Sequence, residues 1–402
     1  MDILFLMLTA PDFGNPMEGG MYSELAKTFL EKGHNVFPVA PALSYNKKTA
    51  IVKEGDFDVL RINTLDLFSV SSIKKGIANI LLSYQYKKAI TKYYKKYKFD
   101  LIIVPTPSVL FADVAVFLKK HFSAEVYLIL RDIFPQNAVD LNMIKENSLI
   151  YKFFRSKEQK LYKVADKIGC SSQANIDYVI AHNQNVDKNK LHILYNFQKK
   201  TERKLPDPEI KEKYNIDNKF VIVFGGNFGI PQKIENVIAF AKRCEIYQDV
   251  ELFLIGKGTQ RHNAENLVKK ANVINIRFVD FVPLNEYKSL LQFCSIGLIS
   301  LNEKFTVPNT PYKLCDYFDA GIPVLASIDS ATDLGKILVE SNTGLYSQAG
   351  NTDQLISQLE ILYNDKDLRR KMGKNGQKFY DDYMTTEVAY NVIMSNILNQ
   401  EV

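Results

Sequence analysis

No CxxC pair occurs anywhere in the 402 residues; the four cysteines, Cys170, Cys244, Cys294 and Cys315, stand far apart. That disfavours structural zinc and a disulfide framework and suits a reducing cytoplasm. No apolar run approaches the roughly 18–20 residues that span a bilayer. The opening MDILFLMLTAPDFG has no basic n-region, and its apolar run breaks at Pro11-Asp12. It reads as a first β-strand rather than a signal peptide. The dinucleotide fingerprint GxGxxG is missing, which argues against a nicotinamide-dependent enzyme. Acidic residues are absent between Asp66 and Asp100, where residues 73–98 carry eight lysines among five tyrosines.

That acidic gap has two readings. With the basic, aromatic segment 151–167, it can lie on an anionic membrane surface, Lys87, Lys88, Lys95 and Lys96 toward the headgroups and rings at the interface. It can equally be the solvated face of a helix that covers a sheet. Nucleic acid is disfavoured, because no recognition motif accompanies the charge.

What is present describes an ordinary soluble chain: 46% apolar, 24% charged, net charge +6. Its length predicts two domains. In the first half, DILFLML, NVFPVAP, FDLIIVPTP, EVYLILRD and KIGCSSQ alternate with helical segments. Continuous apolar strands separated by helices predict a parallel sheet covered on both faces. The polar segment 199–217 reads as a linker. The alternation then restarts with FVIVFGG, VELFLIGKG, VINIRFVDFV, IGLISL and PVLAS. The expectation is therefore two Rossmann-like, doubly wound α/β domains facing across a cleft, residues 1–198 and 218–380, with 199–217 between them. Residues 381–402 are expected as a helix packing back on the first domain.

Ligands in such sheets sit beyond the carboxyl ends of the strands, so four loops matter. Gly19 and Gly20 open a helix after the first strand, where bare backbone and a helix start suit a phosphate or simply begin a helix. In VIVFGGNFGIPQKIENVI (221–238), glycines including Gly226 keep a turn open. Asn227 can donate a hydrogen bond there, and Lys233 stands at the next helix start. A cation at that end opposes the helix dipole, which an anion between lysine and amides would reverse. In TVPNTPYKLCDYFDAGIPVLA (306–326), a proline-stiffened loop leads to a helix whose Asp316 is placed to accept from a ribose diol, or merely matches the dipole. Arg131-Asp132 follow a buried strand directly and either project into a cleft or fix their own loop.

Together, GG…LAKTFLEKGHNV, FGGNFGIPQKIENVI, LIGKG, PYKLCDYFDAGIPVLA and MGKNGQKFYDDY resemble the GT-B glycosyltransferases, most closely retaining family 4. LRDIFPQNAVDLNMI and ADKIGCSSQANIDYVIAHN are similar to bacterial sugar transferases of capsule, O-antigen and lipopolysaccharide assembly. The resemblance implies transfer of an N-acetylhexosamine or deoxyhexosamine from a nucleoside diphosphate sugar, a UDP-sugar, to a polyprenyl-linked or oligosaccharide acceptor. It implies retention, no metal, and a cytoplasmic enzyme peripheral at the inner membrane face. Gly19 and Gly20 would approach the donor, Lys233 with Asn227 the departing diphosphate, and Asp316 the ribose. Amides of Asn309, Thr310 and Tyr312 would cradle the pyrophosphate, with Val282 and Pro283 beside the base. Arg131 and Asp132 stand where the family commonly has a histidine. The family's first glutamate would fall at Pro308, so the contact to the donor sugar is unassigned. Asp56-Phe57-Asp58, a literal DxD, reads as a surface turn. A non-hydrolysing UDP-sugar 2-epimerase and a non-catalytic membrane-associated partner subunit are the alternatives.

Overall fold

The computed structural model describes residues 1–9, 11, 13, 20–43, 48–65, 72–107, 109–280 and 282–398, with backbone alone for 72–80. The chain divides into two compact units: Met1–Lys199 with Thr386–Val402, and Lys200–Thr385.

The first unit holds β1 (Asp2–Leu6), β2 (Asn35–Pro41), β3 (Ala50–Glu54), β4 (Phe57–Ile62), β5 (Leu101–Pro105), β6 (Glu125–Leu130), β7 (Lys167–Cys170) and β8 (Leu191–Ile193). They form one sheet in the order β3-β4-β2-β1-β5-β6-β7-β8. Every pairing is parallel except β3 with β4. Those two make a hairpin that turns at Gly55-Asp56; of the DxD read as a surface turn, only Asp56 lies in the turn, while Phe57 and Asp58 begin β4 and Phe57 is buried in the core. Side chains alternate along each strand, and both faces are filled. Leu4, Ile102, Val104 and Leu128 face one core, with Tyr86, Ala115 and Leu161 of the covering helices. Ile3, Phe5, Ile103 and Ile129 face the other, with Leu25 and Phe29. Helix Thr386–Ile397 closes this second face through Ala389 and Ile393.

The second unit holds β9 (Phe220–Gly225), β10 (Val250–Ile255), β11 (Ile276–Val279), β12 (Ile296–Ser300), β13 (Val324–Ile328) and β14 (Gly344–Gln348), in the order β11-β10-β9-β12-β13-β14 and wholly parallel. All six residues of β9 are buried. The chain leaves β9 toward β10 and β11, then returns to the opposite side of β9 as β12. The crevice at the carboxyl ends of β9 and β12 is therefore this sheet's topological switch point, the place where open α/β sheets bind ligands. The polar segment read as a linker contributes helix Glu209–Tyr214, whose Ile210 is buried and whose Tyr214 hydroxyl donates to Glu286.

Candidate active site

At the exit of β9 the chain stays extended to Gly225 and then turns at Gly226, whose φ of +105° favours glycine. The turn is locked to the exit of β10. Gly226 N–H donates to the carbonyl of Ile255, Phe228 N–H to Lys257, and Gln260 N–H to Phe228. A Cβ on Gly256 would stand 2.0 Å from the Gly226 carbonyl oxygen, and one on Gly258 2.5 Å from Phe228 nitrogen. The glycines of FGGNFG and LIGKG are thus two halves of one backbone contact. Asn227 lies between them, its Oδ1 2.6 Å from the Cβ position of Gly258 and its Nδ2 2.9 Å from that of Gly229. Gly226 and Asn227 are both exposed.

Lys233 caps helix Ile234–Arg243 in the left-handed region, φ +43°. Its Nζ lies 3.4 Å from Glu303 in the loop after β12. Asn302 holds the same turn from that side: its N–H donates to Pro231 and its amide to Ile230.

The loop after β12 leads into helix Lys313–Ala320. Thr310 is buried and Tyr312 exposed, while the Asn309 carbonyl accepts from Thr332 Oγ1. Asp316 opens onto a hollow of about 620 Å³ in the second unit, shared with Arg203, Leu284, Lys288, Asp319 and Gln377. After β11, Val282 is buried and Pro283 exposed at the start of helix Leu284–Phe293. The structure thus gathers Gly226, Asn227 and Lys233 on one turn. Asp316 faces the hollow, and Asn309, Thr310 and Tyr312 lie along the loop before its helix.

Sequence reasoning assigned no role to Lys313, whose side chain lies inside this arrangement. It is 8% exposed. Its Nζ donates to Gln232 Oε1 at 3.0 Å and sits 3.5 Å from the centre of the Phe224 ring. Burial pulls its ammonium down to about 7, while Asp316 acts the other way. A signal was available: Lys313 and Tyr317 are four apart, so one helical face carries both. Tyr317 is fully buried, and its hydroxyl accepts from Gly225 N–H and reaches the carbonyls of Val223 and Leu298.

In the first unit, Gly20 caps helix Met21–Glu31 in an extended conformation; Gly19 lies outside the described residues. Gly20 N–H donates to Ser23 Oγ, which donates back to the Gly20 carbonyl. Nearby, Thr106 Oγ1 accepts from the N–H groups of Arg131 and Asp132. The Arg131 guanidinium donates to the carbonyls of Leu194 and Tyr195 and stacks 5.3 Å from the Phe197 ring. It therefore fixes the strand that leaves β8. Burial raises the Asp132 carboxyl, against the pull of Arg131, and raises the Tyr22 hydroxyl beside them.

The basic stretch divides by helical phase. Tyr86 and Tyr94 are core residues, whereas Tyr84 and Tyr97 are exposed. Lys88, Lys95 and Lys96 are exposed; Lys87 is half-buried, its Nζ 5.9 Å from the Phe117 ring centre. Among the described residues no helix is long and apolar enough to cross a membrane. Among them, too, no group of three or more His, Cys, Asp or Glu side chains could hold a metal ion.

Comparison with known proteins bears on the fold and on the activity. Residues 206–379 match the family model Glycosyl transferases group 1. The probable glycosyltransferase WbjE of Pseudomonas aeruginosa is 22% identical over 276 residues, 68% of each chain. Among solved structures, Anabaena HepE in complex with UDP-glucose superposes with a TM-score of 0.71 at 14% identity, covering 99% of this chain and 100% of that one. WaaG, a glycosyltransferase involved in lipopolysaccharide biosynthesis, gives 0.68 at 15% identity, covering 97% and 99%. Both units have the Rossmann-like α/β architecture of the GT-B structures, and the chain, whose residues 206–379 carry the group 1 match, is a glycosyltransferase.

Proposed function

We propose that this enzyme moves an N-acetylhexosamine or deoxyhexosamine from a UDP-sugar to a polyprenyl-linked or oligosaccharide acceptor in bacterial capsule, O-antigen or lipopolysaccharide synthesis, with retention, as in family 4. The observation that carries the donor half is the exposed Gly226-Asn227 turn, interlocked with the exit of β10 at the switch point of the second sheet. HepE, which shares the fold, holds UDP-glucose. The surface-polysaccharide setting is supported by the likeness to WaaG.

In this reading the diphosphate lies over Gly226 and Asn227, and Lys233 exchanges Glu303 for phosphate. Amides of Asn309, Thr310 and Tyr312 take the other oxygens, Asp316 takes the ribose diol, and Val282-Pro283 flank the base. Breaking the glycosidic C–O bond puts charge on the leaving phosphate as the sugar becomes oxocarbenium-like. Preorganised donors aimed at that charge supply the largest catalytic effect, and positioning of the acceptor hydroxyl supplies much of the rest. By the family resemblance alone, Gly20 and Gly19, the latter outside the described residues, are assigned to the transferred sugar. Asp132, raised by burial, meets the acceptor hydroxyl, while Arg131 holds the loop beneath it.

Calorimetry with UDP and other nucleoside diphosphates, together with product analysis, tests this reading. Binding of UDP and a sugar transferred off the nucleotide are expected. Lys233→Ala should lower turnover by about 100-fold or more while the protein stays folded; unaltered turnover would take Lys233 out of the mechanism.

We place the enzyme at the cytoplasmic face of an anionic membrane, through Lys87, Lys88, Lys95 and Lys96 with exposed Tyr84 and Tyr97. A second edge adds support: Met143, Leu149, Ile150 and Phe153 are exposed beside the basic helix Leu149–Val164. Replacing the four lysines by alanine should release the protein from anionic vesicles, and retained binding would leave this stretch a solvated face.

A further inference from the structure

Lys313 is the buried group that this reading leaves without a task. An ammonium removed from water is costly unless it is paired. Among the described residues no carboxylate lies within 4.0 Å of its Nζ. It has one neutral acceptor, Gln232, and the face of Phe224. Such a lysine invites an anion from outside the chain.

Its position tells where that anion would lie. Phe224 is the last residue but one of the central strand β9, and Gln232 belongs to the turn that Asn302 ties to the exit of β12. Lys313 is therefore on the switch-point crevice itself. The exposed Gly226 is directly over it: a Cβ there would stand 4.0 Å from Lys313 Cε. Gly226, exposed itself, puts no side chain between its backbone and the lysine. The titratable groups around it are few. Asp316 stands on its own helix. Tyr317 is spent on backbone, and Tyr287, from helix Leu284–Phe293, is kept neutral by burial. Lys233 and Glu303 pair with each other across the same turn.

We propose that Lys313 is a second cation of the donor site, reaching past the Gly226 turn to the diphosphate of the nucleotide, with Gln232 holding it in place until the anion arrives. This rests on the nucleotide-sugar reading above. It assigns the two lysines different duties: Lys233 arrives from a surface ion pair, whereas Lys313 is fixed beneath the turn. Proton uptake follows. The ammonium titrates near 7 in the free protein, and a neighbouring anion raises that value. Above pH 7.5 the phosphate's own step near 6 is complete, so UDP binding should draw in a proton for Lys313. Affinity should fall by about tenfold per pH unit until the pKa of the complex is reached.

The test is titration calorimetry of UDP and uridine at pH 7.0 to 9.0, in buffers of different ionisation heat, on the full chain and on Lys313→Met and Lys313→Arg. The unaltered protein should take up close to one proton per UDP at pH 8.5. Lys313→Met should bind UDP about tenfold or more weakly at pH 7, with no uptake and unchanged uridine binding. Lys313→Arg should keep affinity with a flat pH profile, because arginine stays charged. UDP binding by Lys313→Met within twofold of the unaltered protein, with uptake intact, overturns the proposal. Should the methionine variant not fold, a flat profile and no uptake in the unaltered protein overturn it equally. If UDP is ignored but inorganic pyrophosphate binds in a Lys313-dependent way, the lysine keeps its role and the nucleotide reading falls. Binding of neither ends both.

Discussion

Both units place glycine in the loop after a strand, yet the two glycine sites are held by different physics. Among the described residues nothing stands within 4 Å of a Cβ on Gly20, its φ is extended, and its N–H donates to Ser23 Oγ. Around Gly226 the backbones of two loops touch, and Gly256 and Gly258 have positive φ with no room for a side chain. The first is glycine by tolerance, the second by necessity. A glycine pair after a strand is therefore not one signal. Where two loops must meet, glycine reports a built surface; where one helix merely begins, it reports little.

The sharpest way to break this comparison is Gly256→Ala. A methyl group 2.0 Å from the Gly226 carbonyl, on a residue at φ +131°, should lower the unfolding free energy of the second unit by about 3 kcal/mol or more. Gly20→Ala should cost less than about 1 kcal/mol. Urea midpoints of the two variants decide the matter, and equal losses would refute the distinction.

The units also differ in the bases they bury. In the first, His192 of β8 shares a hydrogen bond of 2.6 Å with the Tyr127 hydroxyl, and burial lowers its pKa to about 4. Between that value and the ordinary 6.5, the unfolded chain binds more protons than the folded one. Stability should therefore fall as pH drops from 6.5 to 4, by an amount on the order of 2–3 kcal/mol. In the second unit Lys313 follows the same sign in another window. It titrates near 7 folded against 10.5 unfolded, so its contribution rises with pH between those values. Hydrogen exchange resolved by segment should show an acid limb confined to the first unit and removed by His192→Asn. The alkaline rise should be confined to the second and removed by Lys313→Met. Identical profiles in both units would end this contrast.

Most of both sheets was legible because their strands are covered on two faces, which leaves long apolar runs such as FVIVFG and LIIVP. The strands that escaped notice, β3, β8 and β14, are all edges. Their burial alternates or stays partial, and AIVKE or GLYSQ carries no continuous signal. The turn after β9 was legible from its glycines. The partner that each glycine meets was not, since Gly226 and Gly256 approach only across β9 and β10. Arg131 read either as a side chain for a cleft or as an anchor of its own loop; that its guanidinium donates to the carbonyls of Leu194 and Tyr195, 63 and 64 residues away, was not legible.

By itself, the sequence determined what depends on neighbours along the chain: strand and helix periods, glycine turns, a lysine at a helix start, an acidic gap. Only the tertiary structure decided which of two nearby lysines is buried. Lys233 and Lys313 both follow a loop into a helix. The difference lies in what packs over them, a glutamate at the surface for one and the Phe224 ring under a bare glycine turn for the other. Burial is a property of contacts across strands, and no local pattern encodes it.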